Sequence, residues 1–243
     1  MNDELKFTVI SDTHYYSKKN FVDGFDKNKK PKPGQLFFSR SEEIVEHTFD
    51  CLCKNDTPDI VLISGDLTYN GERTSHDEMK AALKKLQQKG KRVYVITATH
   101  DYTTPRMPTY GIDKNDKYIE VESVNRTQLL KYYGDFGYNN AIAKHKSTMS
   151  YVAQLADGYR LFALNDDYGD PDCGFSDELM NWVKTEANNA KRDGQYIIAM
   201  THHPLVPPSP IYAAVAKGEM LNEYELRRNQ LYDLGLDFVR TGL

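Results

Sequence analysis

Residues 94–104 read YVITATHDYTT. Apolar and β-branched residues run up to His100-Asp101, the pattern of a buried strand that delivers two polar side chains at its carboxyl end. The construction recurs along the chain. KFTVI (6–10) is followed by SDTH, which supplies Asp12 and His14, and DIVLIS (59–64) by GDLT, which supplies Asp66. QYIIAMT (195–201) is followed by HHPL, which supplies His202 and His203. YRLFALN (159–165) and LDFVR (236–240) are further apolar runs. Most of them are apolar throughout rather than alternating, as expected of strands covered on both faces.

Helix-like segments lie between these runs. SRSEEIVEHTFDCLCKN (39–55) opens with Ser and early Glu, while SHDEMKAALKKLQQKG (75–90) and SDELMNWVKTEANNAKRDG (176–194) run from acidic starts to basic ends and a Gly stop. Charges so placed complement the helix dipole. Strands alternating with helices predict a layered α/β sheet. In such a sheet ligands bind in the crevice outside the carboxyl ends of the strands, where these Asp and His residues would converge.

Oxygen and nitrogen donors of this kind suit Zn, Mn or Fe. Asp12-x-His14 places two donors on one side of an extended segment, because side chains alternate with period 2. Gly65 allows a strained turn just before Asp66. Taken singly, each signal has a plainer reading: a strand-terminal Asp as a turn or cap residue, His202-His203 as loop histidines before a proline. Four consecutive strand ends carrying Asp or His outweigh those readings.

With DTH, GDLT, THD and THHP in this order, the chain resembles the calcineurin-like metallophosphoesterases, whose motifs read D-x-H, G-D, G-N-H-[D/E], H-x-P and G-H-x-H. The likeness spans essentially all 243 residues. It implies an α/β fold with a two-sheet β-sandwich flanked by helices, four layers deep (α/β/β/α). It also implies a dinuclear centre of divalent Mn, Fe or Zn, and hydrolysis of phosphate mono- or diesters, with the diester favoured. Carried over residue by residue, Asp12 and His14 would hold the first metal, Asp66 would bridge both, and His202 would ligate the second. His100 would protonate the leaving alkoxide as general acid, with Asp101 orienting it.

Two departures from the pattern matter. Ala98-Thr99-His100-Asp101 stands where G-N-H-D is expected, so a shorter Thr99 hydroxyl replaces the Asn amide. LDFVRTGL reads like the strand before G-H-x-H, yet Leu243 is the last residue. The expectation is a single metallophosphoesterase-like domain over 1–243, truncated at its carboxyl end. Competing function classes are a degenerate member of the fold used for binding, and an unrelated Asp/His metal hydrolase of amide bonds. The latter would lack the ordered motif set.

Composition narrows partners and location. A net charge of -4 gives no basic field for nucleic acid or anionic lipid, so a small-molecule phosphate ester is the expected partner. No apolar run reaches the roughly 18 residues of a membrane span. Three cysteines without paired spacing indicate a reducing compartment, and MNDELKF leads into a strand rather than a signal peptide, so the expectation is cytoplasmic.

Two connections exceed simple turns. Residues 15–38 carry six lysines (Lys18, Lys19, Lys27, Lys29, Lys30, Lys32), and 102–147 carry Tyr102, Tyr110, Tyr118, Tyr132, Tyr133 and Tyr138. The lysines read first as a solvated insertion and the tyrosines as core cover, with substrate recruitment and base stacking as the functional alternatives. HPLVPPSPIY (203–212) carries four prolines and is expected to be stiff. His47 and His76 are expected as surface or capping groups, and Trp182 as a packing residue.

Overall fold

The computed structural model describes residues 4–24, 38–54, 56–167 and 174–203. Lys27, Lys29, Lys30, Lys32, Cys173, the proline-rich stretch after His203 and LDFVR lie outside them. The chain divides into two compact units, Met1–Asn140 and Ala141–Leu243.

In the first unit β1 (Phe7–Ile10), β2 (Ile60–Ile63) and β3 (Arg92–Val95) form a parallel sheet in that order. Register pairs Ile10 with Ile63 and Ile63 with Val95, so all three strands end at one level. Of these three strands, the central β2 alone is buried at every residue. Among the described strands β1 is an outer one, and it leaves Val9 58% exposed, so the expectation of two covered faces holds for β2 and not for β1.

Helix α1 (Ser41–Leu52) buries Val45, Phe49 and Leu52, and α2 (Arg73–Gln88) buries His76, Met79, Leu83 and Leu86. Spacings of three and four residues put each set on one helix face. α2 joins β2 to β3, the crossover that parallel pairing requires.

Residues 102–140 are not a structureless loop. They contain a hairpin of β4 (Gly111–Ile112) and β5 (Tyr118–Ile119), then helix α3 (Leu129–Tyr133). Tyr102, Tyr132, Tyr133 and Tyr138 are buried and Tyr118 is exposed, which matches the reading of these tyrosines as core cover. Lys18 and Lys19 sit in a short 3-10 turn (Lys18–Asn20), where Lys18 pairs with Glu42 and Glu43 and Lys19 with Glu78.

The second unit is a four-stranded sheet in the order β6 (Ala143–His145), β7 (Ser150–Ala156), β8 (Tyr159–Ala163), β9 (Tyr196–Met200). β6, β7 and β8 pair antiparallel, and β8 pairs parallel with β9 through α4 (Asp177–Arg192). Ser176 caps α4, its Oγ accepting from the Leu179 amide at 3.2 Å. Leu179, Val183, Ala187 and Ala190 of α4 pack on Val152, Phe162 and Leu164, with Trp182 half-buried against the same cluster. Sequence reading passed over β7. Its Ser150, Ala153, Gln154 and Ala156 dilute the apolar signal, and a register shift between Gln154 and Ala156 breaks the alternation.

His76 corrects the expectation of a surface or capping group. It is fully buried on α2. Its Nε2 lies 3.0 Å from the Asp101 carbonyl, which only accepts, so Nε2 carries the proton. Nδ1 then accepts from the Tyr133 hydroxyl at 2.6 Å. Burial lowers its pKa from 6.5 to about 3, the Asp101 hydrogen bond opposing and the Arg73 charge assisting.

The folded pKa thus lies below the unfolded one. Between the two the unfolded chain binds more protons, so the stability contribution is complete above 6.5 and drains as pH falls toward 3. The slope is about 1.4 kcal/mol per pH unit. Urea midpoints at pH 7 and pH 5 will show the native chain losing roughly 2 kcal/mol more than His76→Gln over that interval. Equal acid losses in the two proteins would mean that His76 titrates freely in the fold.

Candidate metal centre

The three parallel strands of the first unit end together, and the loops that leave them carry the polar groups. Ser11 to His14 follow β1, Ser64 to Thr68 follow β2, and a 3-10 turn (Thr99–Asp101) follows β3. Asp12, His14 and Asp66 have φ of 55°, 40° and 52°. Left-handed backbone at a non-glycine residue costs on the order of 1–3 kcal/mol and persists only where surrounding structure enforces it. Here the enforcement is explicit. Asp12 N donates to the Gly65 carbonyl (3.2 Å), His14 N to Asp66 (3.0 Å) and Tyr15 N to Leu67 (2.9 Å).

Asp12 and His14 therefore do not share a side by extended alternation, as the D-x-H spacing suggested. The segment has left β geometry, and two left-handed residues set its course. Gly65, at φ 99°, supplies the turn into Asp66 that a side chain would resist.

These loops bring four of the expected residues together. His14 Nε2 lies 3.7 Å from Asp12 Oδ1 and 3.7 Å from Asp66 Oδ2. His14, Asp66 and His100 each offer one ligand atom, all within 4.8 Å of one another. The His14 and His100 rings meet edge to face at 4.8 Å. Asp66 is 4% exposed, whereas Asp12 is open to solvent and takes a short hydrogen bond from Ser11. For His14, burial opposes protonation, but the hydrogen bond it donates to Asp12 and the charges of Asp66, Asp12 and Asp101 prevail and raise its pKa. His14 Nδ1 is buried and finds no hydrogen-bond partner among the described residues. Imidazoles and carboxylates converging on one point, with a buried ring nitrogen orphaned beside them, fit a divalent cation.

His100 is held from both ends. Its amide donates to Asp66 Oδ1 at 3.0 Å, and its Nδ1 lies 2.6 Å from the Tyr69 carbonyl and 2.8 Å from Asn70 Oδ1. Asp101 reaches elsewhere than expected. Fully buried, it accepts from the Thr68 amide at 3.0 Å and the Ala98 amide at 2.9 Å, bracing the turn that carries His100 while the imidazole takes its partners from residues 69 and 70. Thr99 opens that turn and is half-buried.

Gly71, at φ 77°, lets this loop press on the next. A Cβ there would stand 2.7 Å from Tyr102 Cα. Glu72 is buried behind the loop, where desolvation raises its pKa to about 7 against the hydrogen bonds it accepts.

His202, the fourth expected ligand, belongs to the second unit and directly follows β9 with His203. Buried Asp166 anchors that turn. Its Oδ2 accepts from the His203 amide at 3.0 Å and its Oδ1 lies 3.2 Å from His203 Nδ1. Tyr69, Asn70 and Asp166 are absent from the residues expected from sequence. Tyr69 acts through a carbonyl, which leaves no side-chain signal, while Asp166 follows an apolar run, the same signature that marked Asp66.

Comparison with known proteins bears on the whole chain. The family model described as calcineurin-like phosphoesterase matches residues 5–242. No curated protein matches the chain. The crystal structure of a dimetal phosphatase from Danio rerio superposes with a TM-score of 0.58 at 11% identity, over 93% of this chain and 77% of that one.

Proposed function

The chain belongs to the calcineurin-like phosphoesterase family, and on that premise we propose that it hydrolyses phosphodiesters in preference to monoesters, with His100 as proton donor. Metal-dependent hydrolysis of phosphate esters is the activity of the family. The proposal adds the substrate preference, the roles of single residues and a small-molecule ester as substrate. It also includes one metallophosphoesterase-like domain over 1–243 and a cytoplasmic location. Among the described residues no helix is long and apolar enough to cross a membrane.

The observation that carries this reading is the cluster of His14, Asp66 and His100 on strained strand-end loops. Asp12, His14, Asp66 and His202 are the proposed holders of two divalent ions, Mn, Fe or Zn. Such ions, when bound, supply Lewis acidity toward phosphoryl oxygens and a water acidified toward neutral pH. The chain supplies the rest. Asp66 is shielded from water 3.7 Å from His14 Nε2, where solvent and salt screen an electrostatic interaction little. His100, held by its amide and by Nδ1, turns Nε2 toward the leaving oxygen, and imidazole is the side chain whose pKa suits proton donation near neutral pH.

A chromogenic bis-ester and the matching mono-ester, assayed with added Mn²⁺ and again after chelation, test the proposal. Faster turnover of the bis-ester, abolished by chelator, is expected. No turnover of either ester would favour a degenerate member that uses the fold for binding, a reading that Thr99 in place of Asn supports. A further reading makes His100 itself a ligand, since it falls within the same 4.8 Å group as His14 and Asp66. Metal content of a His100 variant separates that reading from the donor role.

A further inference from the structure

We infer that Asn70 is a positioning residue for His100, one that, with the Tyr69 carbonyl, holds Nδ1 and so aims Nε2 at the leaving group. The inference rests on the reading of His100 as proton donor. The Tyr69 carbonyl can only accept, so the nitrogen 2.6 Å from it, Nδ1, carries the proton. Asn70 Oδ1, 2.8 Å from the same nitrogen, shares that proton.

The amide cannot be turned the other way. Asn70 Nδ2 donates to the Pro108 carbonyl at 3.3 Å, and a flipped amide would place two acceptors there and two donors at His100.

The rest of Asn70 is held as firmly as its side chain. Its backbone amide lies 3.1 Å from each carboxylate oxygen of Glu72, and its carbonyl accepts from Thr109 Oγ1. It is 6% exposed. Four contacts from three directions locate one oxygen against one imidazole nitrogen. Asp101, the sequence-expected orienting group, accepts from the Thr68 and Ala98 amides and stands 3.5 Å from the Thr68 hydroxyl. Both partners of the His100 ring are therefore neutral, and the tautomer is chosen without a carboxylate.

The consequence for the reaction is a defined proton path. As the oxygen of a water molecule bonds to phosphorus and gives up a proton to solvent, the P–O bond to the leaving group breaks, and the Nε2–H bond of protonated His100 breaks with it. The proton goes to the leaving oxygen as an alcohol O–H, and neutral His100 keeps its proton on Nδ1 between Tyr69 and Asn70. Solvent returns the proton to Nε2. A ring free to rotate would present either nitrogen, and misplacement by about 1 Å costs on the order of 10²-fold.

Leaving groups separate this role from a structural one. An alkyl leaving group needs the proton, whereas p-nitrophenolate departs without it. Asn70→Ala is expected to lower kcat on an alkyl diester by about 10-fold to 10²-fold and to change kcat on the p-nitrophenyl analogue by less than about twofold. Asn70→Asp, which keeps the acceptor, is expected to recover most of the loss. Asn70→Leu, of similar size, repeats the comparison if the alanine variant does not fold. In the metal-free protein, ¹⁵N shifts of the His100 ring are expected to report the Nδ1–H tautomer. Equal losses on both esters, no loss on either, or an Nε2–H tautomer would overturn the inference. If His100→Ala itself shows no dependence on the leaving group, it is the donor role of His100 that fails.

Discussion

His100→Ala is expected to lower kcat on alkyl phosphodiesters by about 10²–10⁴ and to leave the bound divalent metal per chain unchanged. The magnitude is that of a positioned proton donor, and it is largest where the leaving group is most basic. Alanine removes the imidazole but keeps the backbone amide that donates to Asp66 Oδ1 at 3.0 Å, so the carboxylate retains that contact. The 3-10 turn also survives, because Asp101 braces it through the Ala98 and Thr68 amides. Turnover on both esters and metal content after dialysis decide the matter together. Native turnover removes His100 from the mechanism. Lost turnover with lost metal moves it into the ligand set with His14 and Asp66.

Asp66→Asn is expected to weaken metal binding by more than about 10²-fold and to remove activity at trace metal. Changing a neighbour that merely orients a ligand typically costs 10–100-fold, and a bridging carboxylate contributes more than such a neighbour. Asparagine is the informative choice. It keeps the shape and the acceptor for the His100 amide, and it is among the few residues that tolerate φ near the 52° found here. Alanine would add backbone strain to the loss of charge. Titration calorimetry with Mn²⁺ on the metal-free protein reads the effect, and two ions held with native affinity in the variant would end the case for Asp66 as the bridge.

The strand ends were legible because burial and polarity change abruptly there. IVLI before Gly65-Asp66 and VYVI before the His100 turn read as strands from composition alone, and the structure makes them β2 and β3. The helices were legible for a related reason. Ser176, the early acids and the late bases of α4 mark both ends of a helix whose buried residues recur every three or four positions. β7 and the β4–β5 hairpin escaped notice because short or mixed-polarity strands earn their pairing from partners far along the chain.

His76 was misplaced for the same kind of reason. A histidine on an otherwise polar helix looks exposed until Tyr133 and the Asp101 carbonyl, 57 and 25 residues away, supply its hydrogen bonds. Asp101 was assigned to the neighbouring imidazole by the family resemblance, which carries over the motif and not its hydrogen-bond partners. The folded loops offer its carboxylate two amides instead, and they offer the imidazole a carbonyl and an amide oxygen from residues 69 and 70.

By itself the order of residues determined the alternation of strands and helices, and that Asp12, His14, Asp66 and His100 each stand just beyond a strand. Those are local properties, set by side-chain polarity and backbone propensity within a few positions. Tertiary structure decided which nitrogen of His100 keeps its proton, what Asp101 holds, how deeply His76 is buried and where the backbone takes up strain. Hydrogen-bond partners are chosen by proximity in space, and the loops that meet at the sheet's carboxyl edge come from segments 30 to 53 residues apart.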